Sequence, residues 1–89
     1  MKRAYYSNSI SQFISEDKDA ILGVLTSASD FSVEVNQRNA WLLQITQLKS
    51  LLDGINGSIY FEFAIPRMGK RVDVILLIGQ VVYVIEYKV

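Results

Sequence analysis

In the first half of the chain apolar residues recur at helical spacing, and in the second half they alternate. Ser9 stands where a helix cap is expected, ahead of Ile10, Phe13 and Ile14. Glu16, Asp17 and Asp19 suit the positive end of a second helix, whose apolar face is Ile21, Leu22, Val24 and Leu25. That helix is predicted to fade in Thr26-Ser27-Ala28-Ser29. The longest helix is predicted from about Val35 to Asp53. There Trp41, Ile45, Leu48 and Leu52 form a stripe broadened by Leu42 and Leu51, with Gly54 placed to stop it.

Asn56-Gly57 is a turn signal, and three strands are predicted after it. Ile59, Phe61, Phe63 and Ile65 alternate with Tyr60, Glu62 and Ala64. A loop from Pro66 to Lys70 returns the chain, and Val72, Val74, Leu76 and Ile78 alternate against Asp73, Ile75 and Leu77. Gly79-Gln80 has the glycine first, as a type II′ hairpin turn wants, and leads into a third strand from Val81 to Lys88. The later strands are apolar on both faces and read as covered on both sides. The expected fold is α+β: one domain, 1–89, helical over 1–54 and a three-stranded antiparallel meander over 58–89. One flank of helices leaves a sheet face open, which suggests burial against a second copy or a missing part of a longer protein.

Composition narrows the chemistry. The chain has 89 residues, 51% of them hydrophobic, which excludes general disorder and implies apolar surface meant for a partner. Nine basic and nine acidic residues cancel, so net charge gives no argument for nucleic acid. The absence of cysteine and histidine excludes disulfides, imidazole nucleophile systems and the usual zinc hydrolase sites. The basic N-terminus is not followed by an apolar signal-peptide core, and no apolar run has transmembrane length. A cytoplasmic location without a membrane partner is expected.

Charge inside apolar strands then stands out, because an unpartnered buried charge is costly. Asp73 lies in one strand and Glu86-Tyr87-Lys88 in the next. Pairing about the Gly79-Gln80 turn puts Asp73 opposite Glu86, and alternation puts Glu86 and Lys88 on one side. Hydrolysis of a phosphodiester needs neutralised phosphoryl oxygens and an activated water, both supplied by Mg²⁺ or Mn²⁺ on one or two carboxylates. Asp73 and Glu86 are the expected metal ligands, joined by the carbonyl of Tyr87, with Lys88 orienting the water. A further acid is expected from Glu62 or Glu34. The loop centred on Met68 pairs Glu62 with about Val74, so a small bulge would bring it to Asp73. Arg67, Lys70 and Arg71 are positioned to grip a phosphate backbone. The competing reading is a structural ion pair at a frayed sheet end. The apolar surroundings and the hairpin register favour a site.

Asp73 with Glu86-Tyr87-Lys88 resembles the PD-(D/E)XK nuclease superfamily, whose Asp…Glu-x-Lys motif spans two neighbouring strands. The run from Phe61 to Leu77, with Tyr5-Tyr6-Ser7, the Phe31 segment and Gln37-Arg38-Asn39-Ala40-Trp41, looks like the N-terminal region of bacterial Schlafen-group DNA/RNA helicases. The resemblance implies a partial restriction-endonuclease-like core that acts on DNA with a divalent metal, and a first acid on the leading helix corresponding to Glu34. The helix and strand that follow the motif in that superfamily are missing here, as is any phosphate-binding loop of the attached helicase. The alternative is a catalytically inactive module that binds nucleic acid or oligomerises, the latter as a homodimer through the open sheet face.

Overall fold

The computed structural model describes residues 3–29 and 32–88, so Phe31 of the resemblance lies outside the described residues. A short strand opens the fold, β1 (Tyr6–Ser9), followed by α1 (Ile10–Ser15), α2 (Lys18–Ala28) and α3 (Val35–Leu51). The chain then runs through β2 (Ser58–Ile65), β3 (Lys70–Ile78) and β4 (Val81–Ile85). The four strands form one antiparallel sheet in the order β1-β2-β3-β4. The class is the expected α+β, but the sheet has four strands and not three, and residues 1–54 are not wholly helical. Tyr6 to Ser9 pair with Phe61 to Ser58, which satisfies the backbone groups of β2 on its outer side.

The helix starts follow local chemistry. Ser9 caps α1 by accepting from the Gln12 N–H, and Asp17 caps α2 by accepting from the Asp19 N–H. α3 ends at a Leu52 cap, and Gly54 beyond it holds φ 81, the left-handed conformation that stops a helix at least cost in a glycine. All three helices contribute to a core on one side of the sheet. Ile10 and Phe13, Ile21 and Leu25, and Trp41, Ile45 and Leu48 meet Tyr6, Ile59, Phe61, Val74 and Leu76. An aromatic cluster sits at its centre, with Phe13 and Phe61 rings 5.7 Å apart and Tyr6 edge-on to both.

The hairpin register matches expectation: Ile78 pairs Val81 and Val74 pairs Ile85, and Gly79 takes φ 61. Two expectations about the last strand fail. It ends at Ile85, before Glu86-Tyr87-Lys88, because the Asp73 carboxylate takes the Tyr87 N–H at 2.7 Å in place of a ladder carbonyl. Nor is it covered on both sides: Val81, Val82, Tyr83 and Val84 are all exposed. The helices stop short of this edge.

Candidate functional site

Alternation in β2 breaks at a single residue. Phe61 is fully buried in the helix-side core, so a regular strand would point Glu62 the other way. Instead the Glu62 carboxylate accepts from the Trp41 indole N–H on α3, at 3.3 Å. Glu62 has φ 55, an uncommon and costly backbone state for a residue with a Cβ. Tyr60 and Phe63, three apart, have rings 5.8 Å from each other, so the strand has changed face between them. Phe61 and Glu62 therefore both face the helices.

Asp73 lies at the same level of the neighbouring strand. The ladder pairs Phe61 with Val74 and Phe63 with Val72, which sets Glu62 directly across from Asp73. The expected pairing of Glu62 with Val74 is corrected by one residue: no bulge is needed to bring Glu62 level with Asp73, and the local irregularity turns its side chain instead. Val74 is in the helix-side core, and Asp73 too lines a cavity against α3. Both acids thus approach the same helix.

The electrostatics record the crowding. Burial pushes the Glu62 carboxyl above the usual carboxylate range. The Trp41 donor pulls it back, and the charge of Asp73 and, more weakly, Glu86 pushes it up again, with Arg71 opposing. Burial, and then the charge of Asp73, raises the Tyr87 phenol.

The other expected residues are spread over separate places. Glu34 is exposed at the cap position of α3, makes no side-chain capping bond there, and shares a cavity of about 300 Å³ with Glu62, Trp41 and Tyr5. Asp73 and Lys88 line a second cavity, of about 500 Å³, along the other flank of α3. Gln37 lines both and joins them. Glu86 and Lys88 are exposed beyond the end of β4, so strand alternation does not set their directions. Arg67 and Lys70 are exposed at the tip of the β2–β3 hairpin. Arg71 turns inward: its guanidinium donates to the carbonyls of Glu62 at 2.7 Å and Arg3 at 3.2 Å, and lies 4.4 Å from the centre of the Tyr5 ring.

Among the described residues, no group of three or more acids gathers closely enough to hold a metal ion. The donor chemistry fits a hard cation that keeps most of its water and takes one or two carboxylates, not a closed protein cage. Asp73, with one oxygen given to Tyr87, keeps the other for such a role.

One site residue was not anticipated. Gln44 interrupts the apolar stripe of α3 between Trp41 and Ile45, is 4% exposed, and its Oε1 has no hydrogen-bond partner among the described residues. A polar residue three after Trp41, on the core-facing stripe, was the signal in the sequence. Among the described residues no helix is long and apolar enough to cross a membrane. No protein-family model matches the chain, and neither a curated protein nor a solved structure is significantly similar to it.

Proposed function

We propose that the chain is the N-terminal part of a Mg²⁺- or Mn²⁺-dependent nuclease-like domain acting on DNA, of the kind fused to a helicase. The observation that carries this reading is the opposed pair Glu62 and Asp73, both turned toward α3 in a strained stretch of sheet. Strain and crowded carboxylates oppose stability, and such costs concentrate at working sites. Asp73 and Glu86 would hold the ion, with Glu62 or Glu34 as a further acid that adds negative potential without becoming a third ligand. A divalent ion there supplies charge neutralisation of the phosphoryl oxygens and a more acidic water. Lys88, beside Asp73 in the same cavity, would orient that water and stabilise its deprotonated form. Arg67 and Lys70, exposed at the hairpin tip, would meet phosphates, whereas Arg71 braces the strand under Glu62.

The test is a calorimetric titration with Mn²⁺, a cation suited to carboxylate sites. Binding to the wild-type chain and its loss in Asp73→Ala are expected. Equal binding by both proteins would refute the assignment.

A second reading is a module that holds DNA without cutting it. It is favoured by the hydrogen bond that occupies one oxygen of Asp73. DNA binding that weakens with salt and with Arg67→Ala and Lys70→Ala, without cleavage in Mn²⁺, is its expected signature. Binding that ignores both changes would sink it. The exposed apolar β4 is where a second copy would dock, and a strictly monomeric mass in light scattering would exclude that homodimer.

A further inference from the structure

The cavity of about 500 Å³ beside Asp73 has a lining that metal chemistry does not require. It falls within the size range of small-ligand sites. Amide side chains dominate one wall, with Asn36, Asn39 and Gln44 all carried by α3. Tyr87, half-buried, supplies an aromatic wall, and Lys88 a cation. Gln44 is the telling member. Its Oε1 is a buried acceptor with no donor among the described residues, in a helix where a leucine or methionine would pack without that cost. The terminal torsion of a glutamine is broad, so the amide turns toward a ligand with little penalty.

We infer that this cavity is a nucleobase subsite that takes an adenine, read by Gln44 and stacked on Tyr87, with Lys88 toward the attached phosphate. Adenine presents an amino donor beside a ring-nitrogen acceptor, the pair that a glutamine amide complements: its Oε1 accepts from the amino group and its Nε2 donates to the ring nitrogen. Aromatic stacking of an unpaired base is the usual way proteins hold single-stranded nucleic acid. The subsite rests on the phosphodiesterase reading for its biological sense, because it lies next to Asp73 and Lys88. Its binding chemistry needs no metal.

The experiment is an NMR titration of the metal-free chain with deoxyadenosine 5′-monophosphate and with the analogue lacking the 6-amino group. It is run on wild type and on Gln44→Met, whose apolar side chain fits a buried helix position. Wild type is expected to prefer the adenine nucleotide by roughly tenfold, because the analogue leaves the buried Oε1 without its donor, with shifts at the Gln44 side-chain amide. Gln44→Met is expected to remain folded and to lose the preference. Equal affinity for the two nucleotides in wild type, or an unchanged preference in Gln44→Met, overturns the subsite. Mn²⁺ titration of the same samples separates the two ideas. Adenine preference without Mn²⁺ binding supports the subsite and counts against the metal site, and Mn²⁺ binding without adenine preference does the reverse.

Discussion

Replacing Lys49 with methionine should destabilise the fold far more than a substitution of a partly exposed lysine normally does. The Lys49 ammonium, in the last turn of α3, donates to the carbonyls of Phe13, Ile14 and Glu16 and lies 4.9 Å from the centre of the Phe13 ring. Those carbonyls end α1, a helix of six residues with no basic residue of its own in the last turn. So short a helix has no independent stability, and its terminal carbonyls need outside partners. Hydrogen bonds to a charged group contribute about 1.5–3 kcal/mol each. The three cannot add in full, because they share one ammonium whose burial pulls its pKa down. A net loss of about 2–3 kcal/mol is therefore expected for Lys49→Met, which keeps the aliphatic stem. In a domain of this size that corresponds to a Tm lower by roughly 10–20 °C. Urea unfolding followed by the fluorescence of Trp41, the only tryptophan, measures it directly. A loss below about 0.5 kcal/mol, the level of an ordinary surface site, would show that the ammonium does not hold α1 in place.

Two further outcomes follow from the same geometry. Glu62, with a carboxyl raised mainly by burial, contributes stability that is fully present below its unfolded pKa of about 4.3 and lost as pH rises through its higher folded value. Glu62→Gln should therefore be more stable than wild type at pH 7 and lose that part of the pH dependence. Urea midpoints for both proteins from pH 4 to 8 test this, and parallel curves would contradict it. At Gly57, φ is 156 and an added Cβ would lie 2.2 Å from the backbone oxygen of Leu77 and 3.2 Å from Ile10 Cδ1. Gly57→Ala should cost roughly 3 kcal/mol or more, from backbone strain and overpacking together. A thermal melt within a few degrees of wild type would show that the turn adapts.

The parts of the fold set by local repetition could be read from the sequence. The stripe from Trp41 to Leu52 marks α3, and Gly79-Gln80 fixes the β3–β4 register that brings Asp73 to the level of Glu86. β1 could not be read in the same way, because Tyr6-Ser7-Asn8-Ser9 is too short and polar to show alternation, and Ser9 doubles as a helix cap. The change of face at Glu62 left no mark either. A left-handed position usually announces itself as glycine or asparagine, and here it is a glutamate held by Trp41 and by Arg71 on its own carbonyl. Asp73 capturing the Tyr87 N–H, and so ending β4 early, depends on a strand pairing that only the folded sheet supplies.

The break at Glu62 also has a mechanical meaning. It divides the β2–β3 hairpin into an inner ladder, Ser58 to Phe61 on Val74 to Leu77, and an outer one, Phe63 to Ile65 on Lys70 to Val72. The inner ladder is clamped by β1 and the core. The outer one is tied back by the Ala64 N–H on the Arg3 carbonyl and by Arg71. Amide exchange should accordingly separate into two tiers, with the outer ladder opening at lower cost. The hairpin tip that carries Arg67 and Lys70 then joins the rest of the sheet at the level of the acids themselves, so a load applied at the tip would reach Glu62 and Asp73 before the core.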